Sequence, residues 1–191
     1  MMNIAYLVGA PEGSGAVLID PSWDAAALMA AARAEKRTIE ALLATHTHFD
    51  HVNALDEIAR ALKIPVYVHA AETKELPAGL TILPTGDASH ITAAGLDIVC
   101  LHTPGHTSGS QCFLVNGALF TGDTLFVGAC GRVDLEGGSP PQMGTSLARL
   151  AKLPEATVVF PGHDYGGAPT STIGYEKSHN PYMRSGTSAF P

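Results

Sequence analysis

Three imidazoles and a carboxylate stand within six residues, His46-Thr47-His48-Phe49-Asp50-His51, directly after the apolar run Ile39–Ala44 and Thr45. Imidazole and carboxylate are the ligands that zinc, iron and similar divalent cations take. Without a cation, so many such groups on one short loop would repel one another or stand idle. Groups of the same types recur where three other apolar runs end: His106 after Leu96–Leu101, Asp123 after Ala118–Thr121, and His163 after Thr157–Phe160. Gly105, Gly122 and Gly162 each precede one of them, and glycine permits the tight turns such loops need. Three neutral imidazoles leave a cation its full charge and a position open for water. Two cations sharing that water lower its pKa from roughly 16 to about 7 and polarise a carbonyl. The pattern points to a metal-dependent enzyme, most simply a hydrolase.

The elements that must hold these groups can be read from apolar periodicity and turn chemistry. Strands are expected at Asn3–Val8, Ala16–Asp20, Ile39–Ala44, Pro65–Val68, Leu80–Leu83, Leu96–Leu101 and Thr157–Phe160. Gln111–Val115 and Ala118–Thr121 form a hairpin across Asn116-Gly117, a strong two-residue turn signal. Helices are expected at Ala25–Lys36, with Ser22 or Asp24 as cap, at Asn53–Lys63, and at Gln142–Leu153, with shorter ones at Ala70–Leu76 and Thr172–Ser178. Pro84–His90 reads as loop and the glycine-rich Thr124–Gly138 as irregular. Strands alternating with helices, with hairpins among them, imply mixed sheets covered by helices.

The chain has 191 residues, 46% of them hydrophobic, which suits one domain spanning 1–191. The formal charge of -7, with Lys and Arg few and scattered, argues against a nucleic-acid partner. No apolar run reaches the ~20 residues that span a bilayer. The start lacks the basic region of a signal peptide, and the three cysteines form no close pair, so a cytoplasmic protein with reduced thiols and no membrane partner is expected.

In their order along the chain, His46-Thr47-His48-Phe49-Asp50-His51, His106, Asp123 and His163 resemble the metallo-β-lactamase superfamily signature. The resemblance implies an αββα four-layer sandwich of two mixed β-sheets flanked by helices, with metals at one edge. It implies that His46, His48 and His106 hold one divalent ion, that Asp50, His51 and His163 hold a second, and that Asp123 bridges them. Zinc is the expected metal, and Asp50 and Asp123 carry the catalytic carboxylates. Gly122-Asp123-Thr124-Leu125-Phe126, Gly131-Arg132 and Pro161-Gly162-His163 are similar to glyoxalase II-like hydrolases, which cleave S-acylglutathione thioesters with a metal-bound hydroxide. The helical C-terminal domain those enzymes use for glutathione is expected to be absent, since only Gly166–Pro191 follows His163. Cys130-Gly131-Arg132-Val133-Asp134, His163-Asp164-Tyr165, Ser171-Thr172 and Asn180-Pro181 resemble persulfide dioxygenases instead. That alternative implies one Fe(II) on His46, His106 and Asp123 and oxidation of glutathione persulfide. A non-catalytic metal-binding protein on the same scaffold is the third reading.

Other residues read as follows. Arg132 suits a substrate carboxylate, or a salt bridge to Asp134 or Glu136. Tyr165 either lines the pocket and hydrogen-bonds substrate or packs. Asp164 could orient a ligand imidazole. His102 reads as supporting or structural, and His69, His90 and His179 as solvated or hydrogen-bonded. Cys130 reads as an inert thiol, Cys100 and Cys112 as core, and Trp23 as packing.

Overall fold

Strands buried on both faces explain the architecture. In β2 (Gly15–Ile19) and β3 (Thr38–Leu43), Val17, Ile19, Ala41 and Leu43 point to one face and Leu18 and Leu42 to the other, and all six are buried. Such strands need cover on both sides. The structure, a computed structural model, describes residues 3–185. Met1 and Met2, part of the start read as lacking a signal peptide, and 186–191 of the expected tail lie outside the described residues.

The first sheet also contains β1 (Tyr6–Val8), β4 (Val66–His69) and β5 (Ile82–Thr85), in the order β1-β2-β3-β4-β5. β1 runs antiparallel to β2, and the other neighbours pair in parallel. The second sheet runs β11-β10-β9-β8-β7-β6. Its strands are β6 (His90–Ala93), β7 (Leu96–His102), β8 (Gln111–Val115), β9 (Ala118–Gly122), β10 (Val158–Pro161) and β11 (Ser171–Thr172). Within it, β9 and β10 pair in parallel and the remaining neighbours antiparallel.

Three apolar clusters make the layers. Between the sheets lie Val17, Ile19, Ala41, Leu43, Ile98 and Phe113 with their neighbours. Outside the first sheet, Leu18, Leu42 and Val66 meet α1 (Ala25–Ala34) and α3 (Leu55–Leu62) through Ala25, Ala32, Leu55 and Ile58. Outside the second, Cys112, Leu119 and Val159 meet α4 (Pro140–Leu150) and α5 (Ile173–His179) through Met143, Leu147 and Ile173. The result is the αββα sandwich of two mixed sheets flanked by helices. No helix among the described residues is long and apolar enough to cross a membrane.

Local chemistry accounts for most boundaries. The Asp24 side chain, not Ser22, caps α1 by accepting from the Ala27 N–H at 2.8 Å. Asn116 and Gly117 take φ of 48° and 79° and close the β8–β9 hairpin. The segment Ala70–Glu75 forms a 3-10 turn. α4 starts two residues earlier than expected, because Ser139 caps it and Pro140 occupies the first turn, where proline loses no hydrogen bond. The expected Asn3–Val8 strand is regular only from Tyr6, and Asn3 instead bridges to His163. The loop expected at Pro84–His90 is shorter, since β5 runs to Thr85 and β6 begins at His90. β6 was hidden because Ala94, with φ of 53°, fills the first of two turn positions, and only Gly95, with φ of 72°, marks the hairpin. Two elements of the tail, β11 and α6 (Pro181–Ser185), also lack a strong pattern.

Candidate metal centre

Four strands deliver the candidate ligands to one edge of the sandwich. Past the end of β3 come His46 and His48, then the one-turn helix α2 (Phe49–Val52) carrying Asp50 and His51. His106 follows β7, Asp123 follows β9 and His163 follows β10. Two glycines let them converge. A Cβ on Gly162 would come within 2.6 Å of Asp123 Oδ1 and 2.8 Å of the His51 ring, and one on Gly131 would collide with the Asp123 carbonyl.

The seven groups fall into three overlapping sets, each with ligand atoms within 4.8 Å of one another: His46/His48/His106, His46/His51/Asp123 and Asp50/His51/His163. His48 Nδ1 lies 2.8 Å from His106 Nε2, and His51 Nε2 lies 3.2 Å from His163 Nε2. His163 Nε2 is 3.5 Å from both Asp50 Oδ2 and Asp123 Oδ2, and His106 Nε2 is 3.5 Å from Asp123 Oδ2.

The surrounding hydrogen bonds set the tautomers. Asp20 accepts from the Thr45 N–H and the Thr45 hydroxyl, both at 2.7 Å. With its proton so committed, Thr45 Oγ1 accepts from His46 Nδ1 at 3.1 Å. His106 Nδ1 donates to the Arg132 carbonyl at 2.7 Å, and His51 Nδ1 donates to Asp20 Oδ2 at 2.9 Å. In the neutral rings, Nε2 of His46, His51 and His106 is therefore a bare lone pair aimed into the centre. His46 Nε2 and Asp123 Oδ1 are buried and have no hydrogen-bond partner. His51 Nε2 is 3.2 Å from that Asp123 oxygen, but not in hydrogen-bond geometry. Buried polar atoms are normally satisfied, and converging lone pairs beside an orphaned carboxylate oxygen are satisfied by cations. The residues fit divalent metal.

Charge tells the same story. Burial, with the His51 charge next, drives the His46 pKa well below the ordinary imidazole value. Burial and the neighbouring His106 lower that of His48. Burial acts to lower His51 as well, but the adjacent carboxylates of Asp123 and Asp20 prevail and push it up to about 10. Burial acts to raise Asp123, but His163 and His51 outweigh it and hold the carboxyl well below the usual range. Without metal, a proton on His51 thus supplies the positive charge that a cation otherwise would.

Above the centre opens a cleft of about 450 Å³, lined by ligands and by Phe49, Phe126, Cys130, Arg132, Leu135 and Tyr165. Tyr165 stacks on His163 with ring centres 4.9 Å apart. The Arg132 guanidinium is engaged by Asp134 through bonds of 2.8 and 2.7 Å. Burial pushes the Cys130 thiol up to about 12, so it is not the reactive thiolate. His102 lies outside the cluster, stacked on His69 at 4.0 Å and bonded to the Ser108 carbonyl. His90 pairs with Asp97, and His179 bonds the Tyr175 carbonyl. Trp23 is exposed and meets Phe49 edge-on.

Sequence reasoning missed the carboxylates that hold the ligand loops. Asp164 is exposed, and Asp20, at the end of β2, is the carboxylate that reaches a ligand imidazole. Glu72 is buried in the 3-10 turn and ties the His46–His51 loop to the His106 loop. One of its oxygens accepts from the Thr47 N–H and hydroxyl, both at 2.6 Å. The other accepts from the Thr107 hydroxyl and from the Gly109 N–H at 3.2 Å. Glu176, also buried, accepts from Gly128 N–H and Asn180, while Asn180 holds the Phe126 and Ala129 carbonyls at the cleft wall. The Asn180-Pro181 motif marks Asn180, but no local pattern marks Glu72 or Glu176, and Asp20 stands out only as an acid ending an apolar strand.

Two packed sheets with a histidine–aspartate cluster at one edge define a protein built to bind metal between strand ends. The family model of the metallo-β-lactamase superfamily matches residues 3–163, and the chain belongs to that superfamily. It is 43% identical over 150 residues to a hydroxyacylglutathione hydrolase of Alkalilimnicola ehrlichii, covering 78% of this chain and 57% of that relative. Among solved structures, ETHE1 from Myxococcus xanthus superposes with a TM-score of 0.87 at 31% identity, over 96% of this chain and 80% of that one. TTHA1623 in a di-iron-bound form matches with a TM-score of 0.81 at 35% identity, over 93% of each chain.

Proposed function

We propose that the chain is a metal-dependent hydrolase that cleaves a small thioester, with S-acylglutathiones as the first class to test. The observation that carries this reading is the convergence of imidazole nitrogens, His46 Nε2 without a partner among them, on an orphaned carboxylate oxygen beneath an open cleft. His46, His48 and His106 would hold one divalent cation, Asp50, His51 and His163 a second, and Asp123 would lie between them. Zinc is the metal we favour, since imidazole and carboxylate suit it. Two such cations would supply a hydroxide at neutral pH and polarise the thioester carbonyl.

The chain's own groups do the rest. Thr45, Asp20 and the Arg132 carbonyl fix the rings so that Nε2 faces the centre. Asp50, half-buried at the cleft, is placed to take the proton of the attacking water and pass it to the leaving thiolate. Tyr165 can donate its hydroxyl to substrate from the cleft rim, while Arg132 is already held by Asp134 on its Nε–Nη2 edge. The similarity to a hydroxyacylglutathione hydrolase supports the thioester class, and the di-iron-bound relative supports a centre for two metals.

Metal analysis of purified protein, run beside two assays, tests the reading. Two divalent ions per chain and free thiol released from S-lactoylglutathione are expected. One iron with oxygen uptake on glutathione persulfide would favour the dioxygenase instead. Metal loading with neither activity would leave a metal-binding protein.

A further inference from the structure

The cleft mouth is apolar where the candidate ligands are not. Phe49 lines it and is 73% exposed, Tyr165 lines it at 55%, and Leu135 at 39%. Trp23, 55% exposed, stands edge-on to Phe49 with ring centres 6.3 Å apart. Four of the seven large hydrophobic side chains exposed among the described residues thus gather at this one mouth. Phe49 has little freedom to leave it, because it is the first residue of α2, between His48 and Asp50. Leaving such surface in water is unfavourable, and a contiguous exposed apolar patch marks a binding site more often than not.

The charges around the mouth also discriminate. Arg132 is the one Lys or Arg among the described residues lining the cleft, and Asp134 already holds its Nε–Nη2 edge with both carboxylate oxygens. A second groove of about 470 Å³ shares His48 with the cleft and is lined by Glu72, Glu75 and Glu136. A substrate arm bearing carboxylates finds no unpaired cation along either surface and meets like charge in the groove.

Resting on the thioester reading above, we infer that the cleft is built for an apolar acyl group, aliphatic or aromatic, seated on Phe49, Trp23, Leu135 and Tyr165. The carboxylate-bearing arms of glutathione are not what this mouth selects. Hydrolysis at the centre would then break the bond between that acyl carbon and the thiol sulfur, water supplying the hydroxyl to the acid and the proton to the thiol.

The test uses the metal-loaded full chain and uncharged N-acetylcysteamine thioesters of acetate, butanoate, hexanoate and phenylacetate, with S-lactoylglutathione alongside. Each buried methylene is worth about fourfold in binding, so kcat/KM should rise at least about tenfold from acetyl to hexanoyl. Phe49→Ala should cut the hexanoyl-to-acetyl ratio by about fivefold or more, a ratio that does not depend on the fraction of active enzyme. Trp23 is the sole tryptophan, so its emission should shift when the non-hydrolysable thioether S-hexyl-N-acetylcysteamine binds. A flat acyl series, a preference for S-lactoylglutathione, or unmoved Trp23 emission at saturating thioether would overturn the inference while leaving thioester hydrolysis intact. No turnover of any thioester would instead remove the reading on which it rests.

Discussion

The two halves of the ligand cluster are supported in different ways. Behind Asp50, His51 and His163 stands Asp20, which accepts directly from the His51 ring. Behind His46, His48 and His106 stands Glu72, which touches no ring and grips Thr47, Thr107 and Gly109 between and beside the ligands. Both carboxylates are buried. Asp20 therefore acts on a ligand ring through a direct hydrogen bond, whereas Glu72 fixes the loops and reaches the His48 ring only through its charge. A buried acid can serve a metal site by bonding a ligand or by bonding the loop that carries it, and this molecule does both.

Removing a ligand outright should erase the distinction. His46 and Asp123 belong to overlapping sets, so His46→Ala or Asp123→Ala should lose metal and at least about a thousandfold in kcat/KM, or ~4 kcal/mol of transition-state stabilisation. Full turnover in either variant would contradict the site.

Asp20→Asn should come next. Loss of a carboxylate behind a ligand histidine lowers metal affinity by about 10–100-fold. The larger loss should fall on the ion held by Asp50, His51 and His163, with a smaller one passed through Thr45 to His46, read by chelator competition as unequal weakening of two sites. Glu72→Gln should follow with about a tenfold loss, confined to the ion held by His46, His48 and His106. Its amide would turn N–H groups toward the N–H donors of Thr47 or Gly109, where only acceptors fit, at a cost of about 1–3 kcal/mol. Equal weakening of both ions by either variant would erase the contrast.

Proton linkage sharpens it further. The folded pKa of His51, about 10, lies above its unfolded value. Its contribution to stability is then fully present below about pH 6.5 and is lost as pH rises toward about 10. Chelator-stripped protein should lose Tm across that window, and His51→Gln should flatten the loss. Metal binding near pH 7 should release a proton from His51, measurable as a buffer-dependent calorimetric heat. The smallest effect is expected at Cys130, whose thiol stays protonated. Cys130→Ser should leave metal content unchanged, and iodoacetamide should label the native thiol slowly at pH 8.

The candidate ligands, which the structure brings together, were legible in the sequence because coordination demands particular residue types, and apolar runs mark the strand ends that carry them. His46 through His51 could be read as one loop, and His106, Asp123 and His163 each follow a recognisable strand. The residues behind them were not legible. Asp20 and Glu72 act across the fold on the His46–His51 loop, and no spacing rule links them to it. Nearness in sequence pointed instead to Asp164, which is exposed. Arg132 could be assigned to substrate or to Asp134 from its sequence alone, and the structure pairs it with Asp134. The Asn180-Pro181 motif that resembles persulfide dioxygenases is tied to cleft-wall carbonyls, so it supports the cleft wall whichever chemistry proceeds there. β6 escaped notice because an alanine takes the first of the two left-handed turn positions before β7, leaving Gly95 as the one turn signal.

The central claim is that these convergent imidazoles and carboxylates hold two divalent cations. Elemental analysis of the purified protein after metal loading and desalting, alongside His46→Ala and His163→Ala, tests it most directly. About two ions per native chain and no more than about one in each variant are the expected result for a two-metal centre. Native protein that retains no metal, or variants that retain as much as the native chain, would contradict it.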